Sequence, residues 1–457
     1  MIEEGRLPVP RTDARGNATG VDNARSLPTW ALWLLALSAF GPYLAPGIRT
    51  DNGLVWLALP LAVLALVAAP MPPRAVLVVL SWTVMVAVAL WSHLTPSLNT
   101  SGYNRGNLLA GVDTFVAPLI ALSLGMWFVR RLGPVRVFTI VGQAVMAGMV
   151  LNAALALAQS QSSTANRAIG WLWGLALDDS TLARAETVDR FSGMMQQPAL
   201  AGTMYGVALI VGTHLLARKP ALRDALWLVL ACGAALSASK AFWLVALPIA
   251  VILRVVQQRR GIPAGLVRSA VLLGLVGLVA RLLGVSLTPM VEMLRSAGAD
   301  VREAVGGGVG GATGNRFGEQ GVVLDLATKV LRDDPVAGYG ISGLATATDS
   351  GLLQALVVGG LVGLALYCIV LLVLVYDACV GLRGNGELGD VFVALSVAVA
   401  AWSVGFPTLT GNRISTILWL LFAVMLTGAY AAGSGQSQDG RPRRTDHGPR
   451  DSVSAGH

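Results

Sequence analysis

The chain has 457 residues, 54% of them hydrophobic and only 13% charged, with a net charge of +8. Soluble domains carry about 25% charged residues, so this chain lacks the polar surface to face water. A soluble globular domain is excluded, and the composition points to a polytopic membrane protein.

A polar stretch, 1–28, comes first; it holds Glu3, Glu4 and Asp13 and does not read as a signal peptide. Apolar runs near the ~20 residues that cross a bilayer then recur along the chain. They lie near 29–47, 53–69, 75–94, 108–129, 137–158, 198–217, 224–239, 240–256, 267–286, 350–375, 390–406 and 414–432. The expected architecture is an all-α polytopic membrane protein of about twelve transmembrane helices over 29–432. "SASKAF" makes a tight hairpin between the seventh and eighth spans, and "GGLVG" (359–363) reads as a helix-packing face in the tenth. From Gly433 the chain reads as a disordered tail, 433–457.

Lys and Arg crowd the N-terminal stretch, "RRLGPVR", "ARKPALRDA", "RVVQQRRGIPAGLVR" and the C-terminal tail. With an even number of spans these fall on one side, so both termini are expected in the cytoplasm. The surplus charge is then topological and calls for no nucleic-acid partner. The opposite short loops carry few basic residues, such as Arg49, Arg105 and Arg413. Two long segments, 159–197 and 287–349, are sent to the extracytoplasmic side.

Much chemistry is absent. Cys232, Cys368 and Cys379 form no C-x-x-C and read as small buried hydrophobes. The four histidines, His93, His214, His447 and His457, adjoin no carboxylate cluster, so no metal site is expected. "GYGISG" (338–343) matches G-x-G-x-x-G, but a dinucleotide turn needs a strand before it and a helix after it in a βαβ unit. Here a helix ended by Asp-Asp-Pro precedes it and a membrane span follows, so no nucleotide cofactor is expected.

The second long loop has internal order. "GGGVGGATG" (306–314) reads as a hinge, and Val323, Leu326, Ala327 and Val330 recur at the period of an amphipathic helix stopped by Pro335. Arg316 stands before that helix, either as part of an anion cradle or as an ordinary solvated cation. "GYGISG" supplies a bend that lets backbone approach a ligand or a helix closely. Asp349 and Ser350 follow at the mouth of the tenth span, where Asp349 is either a general base or a helix cap. Arg190, before the sixth span, and Lys240, in the "SASKAF" turn, also face outward. Lys240 either snorkels to the interface or contacts an anion. A phosphate-bearing lipid headgroup suits such a set of cations.

These stretches resemble the O-antigen ligase and Wzy-like polysaccharide polymerase superfamily. "RFSGMMQQPALAG" is similar to its R-x-x-G-x-x-x-x-P-N-x-x-A entry to a span, and "LSASKAFWL" to its S-R-G turn. "NRFGEQGVVLDLATKVLRDDPVAGYGIS" with "DSGLLQALVVGGLVGLALY" resembles its Arg, amphipathic helix, P-x-x-G-x-G and span-opening block. The resemblance covers 190–367 and implies transfer of a glycan from an undecaprenyl-pyrophosphate donor to an acceptor sugar. The reaction would run on the outer face of the bacterial cytoplasmic membrane, without metal, nucleotide or other cofactor. It also implies membrane lipids and a chain-length regulator as partners. Arg190, Lys240 and Arg316 would bind the pyrophosphate, and Arg316 and Asp349 would be catalytic. Lys240 replaces the usual Arg, Gln197-Pro198-Ala199 lacks the Pro-Asn pair, and Asp349 stands where ligases have a histidine. The last departure points to a polymerase. A ligase-type transferase is the alternative, and so is a secondary transporter or flippase. The transporter would require mid-membrane charges and broken spans in repeated halves. Asp113 and Arg281 are the few candidates for such charges, and no repeat is evident.

Overall fold

A computed structural model describes residues 18–45, 48–67, 70–95, 107–174, 189–257, 262–283, 288–296, 322–342, 350–383, 388–411 and 413–438. Among them the chain is all-α apart from one small hairpin, β1 (Tyr43–Ala45) and β2 (Ile48–Arg49). The helices are α1 (Ala18–Ser38), α2 (Thr50–Leu57), α3 (Leu59–Val67), α4 (Pro73–Leu94), α5 (Leu108–Leu132) and α6 (Pro134–Gln161). Then come α7 (Ser163–Leu172), α8 (Pro198–Leu215), α9 (Pro220–Ser237), α10 (a π-turn at Ala241–Ala246 running into Leu247–Gln257) and α11 (Ile262–Leu282). The last are α12 (Val322–Asp333), α13 (Gly351–Arg383), α14 (Gly389–Gly405) and α15 (Ile414–Gln438).

Six of these, α4, α5, α6, α8, α9 and α13, are long and apolar enough to cross a membrane. A seventh arises if α2 and α3, bent by 47° at Ala58, form one span. Pro60 explains the bend, because it cannot donate to the carbonyl four residues back and its ring crowds that carbonyl. Apolar helices over Pro28–Ser38, Ala241–Gln257, Gly265–Val279, Gly389–Gly405 and Ile414–Thr427 are shorter. The outer face is apolar too: Leu57, Val67, Ile252 and Leu372 are all exposed. Such a surface suits lipid as its solvent, and the chain is a membrane protein on that ground.

Two helices form the centre. Every residue of α8 from Leu200 to Thr213 is buried, as is every residue of α15 from Ile414 to Thr427. A helix apolar all round has no face to spare for solvent. Glycine lets neighbours close on α8: a Cβ at Gly206 would stand 2.5 Å from that of Ala246. Around α15, Trp82 of α4 packs edge-on against Trp419 at 5.0 Å and donates to the Phe115 carbonyl of α5 at 2.7 Å.

Consecutive long helices run in opposite directions, so their connections collect at two ends. At the basic end Arg130 donates to the carbonyls of Ala65 and Pro70, both at 3.1 Å. There too Arg74 pairs with Asp377, and Asp224 pairs with Arg254 and Arg268. The other end, here the loop end, gathers β1–β2, segment 189–197, the α9–α10 turn, segment 335–342 and the α14–α15 turn.

The structure departs from the sequence expectations at three points. Helix α1 begins at Ala18, inside the stretch read as a tail, and α15 continues past Gly433 to Gln438. "GGLVG" is more than a packing face: Gly360 has φ 61° and ψ −154°, and α13 is broken there. Residues 1–17, 306–314 and 439–457 lie outside the described residues.

Candidate functional site

The glycine bend and the break in α13 are one construction. A break frees carbonyls before it and N–H groups after it. Tyr339 and Gly340 donate to the carbonyls of Val357 and Val358, at 2.6 and 3.1 Å, while Leu361 and Val362 donate to Pro335 and Val336, at 2.8 and 3.3 Å. Ile341 donates to the Ala89 carbonyl at 2.8 Å, and Ser92 Oγ of α4 donates to the Gly338 carbonyl at 2.6 Å. Side chains would not fit: a Cβ at Gly338 would lie 2.5 Å from the Gly360 nitrogen, and one at Gly340 2.7 Å from the His93 nitrogen. Both glycines have positive φ. The bend approaches a helix, and its glycines serve backbone-to-backbone contact.

Helix α12 lies over this construction. Leu326 and Val330 are buried with Tyr339, Leu353, Leu356 and Val357, and Ala327 is partly buried beside them. Three of the four residues picked out by periodicity thus share that contact; the side chain of Val323 is outside the described residues. Pro335 follows the helix end, as its missing N–H requires.

Arg190 and Lys240 are tied through backbone. Phe191 donates to the Leu236 carbonyl at 2.9 Å, so the segment carrying Arg190 meets the turn carrying Lys240. That segment is pinned to α6. Gly193 donates to Gln159 Oε1 at 2.8 Å, Met194 donates to Asn152 Oδ1 at 2.7 Å, and Asn152 Nδ2 donates to the Tyr205 hydroxyl at 2.9 Å. Ala238, in the left-handed region at φ 45°, turns the chain sharply into α10. Lys240 is exposed, whereas Arg190 is half-buried with its Nε shielded and without a hydrogen-bond partner among the described residues.

Arg316 and Asp349 lie outside the described residues. Ser350 is described: its hydroxyl accepts from the Leu353 nitrogen and donates to the Ser403 carbonyl, both at 3.3 Å. The cap of α13 is therefore made by Ser350.

Two features of the loop end were not singled out from sequence. His93, at the end of α4, meets Ser342 Oγ through Nδ1 at 3.1 Å, beside the glycine bend. Its only sequence signal is a lone histidine at the end of an apolar run. The second is a buried polar cluster around the β1–β2 hairpin. Arg49 Nε donates to Asp51 at 3.0 Å, and its Nη2 donates to Asn52. Asp113 accepts from Asn52 and, at 2.8 Å, from Trp56 Nε1. Arg413, read from sequence only as a sparse loop cation, is fully buried here. Its Nη1 donates to the carbonyls of Ala39 and Gly41, at 3.1 and 2.9 Å, and its guanidinium faces the Tyr43 ring at 5.9 Å. Burial pushes its pKa down to about 10 against the pull of Asp51, so it is charged at neutral pH. Gln196, six residues after Arg190, donates to the Tyr43 hydroxyl and links this cluster to the Arg190 segment.

Among the described residues no three His, Cys, Asp or Glu side chains group to hold a metal. No family model matches the chain, and no curated protein shows significant similarity to it.

Proposed function

We propose that the chain is a polymerase of bacterial surface polysaccharide, an O-antigen, capsule or exopolysaccharide. It works on the outer face of the cytoplasmic membrane through about twelve spans, with both termini in the cytoplasm. The acceptor hydroxyl attacks the anomeric carbon of a glycan carried on undecaprenyl pyrophosphate. The new C–O bond forms as the bond to the pyrophosphate breaks, and the lipid pyrophosphate leaves as an anion. Arg190, Lys240 and Arg316 stabilise that developing charge, and Asp349 takes the proton of the attacking hydroxyl.

The observation that carries this reading is the Phe191–Leu236 hydrogen bond. It joins two stretches distant in sequence, each bearing one of the cations the reading requires. Arg190 in addition keeps a shielded guanidinium nitrogen without a hydrogen-bond partner among the described residues, a state that an anionic ligand would relieve. In the transporter reading, the breaks at Ala58 and Gly360 would line a substrate path. At Gly360 the groups paired across the break are backbone groups of segment 335–340, which favours a structural break.

The test is deletion of the gene followed by gel analysis of surface glycan. Loss of long chains with single repeat units retained supports the polymerase. Normal chain length with lost attachment to a carrier identifies a ligase instead, and an unchanged glycan overturns both.

A further inference from the structure

The guanidinium of Arg413 is used on one side only. Its Nη1 holds the carbonyls of Ala39 and Gly41 just past the end of α1, while Nε and Nη2 are shielded and have no hydrogen-bond partner among the described residues. Those two nitrogens form one edge of the planar group, with parallel N–H bonds matched to two oxygens of a carboxylate or phosphate. The nearby carboxylates hydrogen-bond other donors, Asp51 through Oδ1 with Arg49 and Asp113 with Asn52 and Trp56, so that Asp51 acts on Arg413 through its field and not through a hydrogen bond. Buried charged donors are ordinarily hydrogen-bonded, so this edge calls for an acceptor.

We propose that Arg413 is an oxyanion receptor, whose Nε–Nη2 edge takes two oxygens of one phosphoryl group at the loop end. Phosphate fits better than a carboxylate side chain, because the two carboxylates that the fold brings to this cluster are already bonded. Arg413 is fully buried, so a phosphoryl group reaches this edge only through local opening at the loop end. The Gln196–Tyr43 contact connects the receptor to the Arg190 segment. The inference stands apart from the polymerase reading: phosphoryl binding is measured without glycan transfer, and failure of either leaves the other intact.

The full-length protein, purified in neutral detergent, is titrated with inorganic pyrophosphate while its thermal unfolding is followed. Stabilisation is expected in the wild type, with half-saturation weakened about tenfold or more in Arg413→Lys, which keeps charge and loses the fork. Hydrogen exchange on the wild type covers the case in which the variant does not fold. Pyrophosphate should slow exchange in peptides spanning 39–45 and 406–415. A second arm compares nanodiscs of neutral lipid with nanodiscs containing phosphatidylglycerol. If only the anionic lipid slows that exchange, the phosphoryl group belongs to a lipid headgroup; if only pyrophosphate does, it belongs to a freely exchanging ligand. No slowing in either arm, or equal stabilisation of wild type and Arg413→Lys, overturns the proposal.

Discussion

Arg254 and Arg413 are both fully buried guanidinium groups, set at opposite ends of one bundle, and their surroundings differ. Arg254 donates to Asp224 at 2.6 Å, lies over the Trp227 ring at 4.9 Å, and shares Asp224 with Arg268. Arg413 is held by two carbonyls and an aromatic ring, while the nearest carboxylates serve other donors. A charge neutralised by a carboxylate is bound within the fold, since breaking such a pair strands a buried ion. A charge held by carbonyls lacks such a hydrogen-bonded counter-ion. The same contrast separates the glycine bend, where the backbone groups freed in a broken helix are paired with segment 335–340, from Arg190, whose Nε has no hydrogen-bond partner among the described residues.

The largest effect should come from filling the break that frames the loop end. Gly360→Val adds a β-branched side chain where φ is positive and where a Cβ meets the Val336 carbonyl. The cost should be on the order of 3 kcal/mol or more, read as loss of detergent-stable protein. Native melting would show that the bend and the break are not one unit. Next comes Arg190→Ala, expected to cut polymer formation about 100-fold with normal membrane insertion. Full activity in a correctly inserted variant would remove the pyrophosphate assignment.

Smaller effects separate the two ends further. Arg254→Met should lower stability by about 1–2 kcal/mol, because Asp224 keeps Arg268, and should leave activity per folded molecule unchanged. An activity loss equal to that of Arg190→Ala, with intact melting, would erase the distinction between the ends. The smallest change is expected for Lys240→Ala. Its ammonium is exposed and screened by water, so activity should fall less than about tenfold. A loss as large as that of Arg190→Ala would move Lys240 into the centre of the site.

Composition and hydropathy made the membrane class, the helices and the separation of basic loops legible, since each depends on local transfer of side chains out of water. The amphipathic period over 322–333 and the stop at Pro335 were legible for the same local reason. Gly360 was not. Its sequence neighbourhood, "VVGGLVGLAL", is as apolar as any span, and the break exists only because segment 335–340 arrives to take the freed groups. The burial of Arg413 was not legible, because a cation in a short loop is solvated unless distant chain covers it, and Ala39, Gly41 and Tyr43 lie hundreds of residues away. Asp349 and Arg316 rest on sequence alone.

By itself the sequence determined a lipid-facing helical chain, its alternating basic and sparse loops, and an amphipathic helix beside a glycine bend. Those are properties of residues within one or two turns of each other. Only the tertiary structure decided that the bend splices into a broken helix and that Arg190 and Lys240 share one end. It alone also decided that Arg413 keeps an edge of its guanidinium without an acceptor among the described residues. Pairing of buried polar groups depends on which distant segments meet, and the meeting is set by packing around α8 and α15.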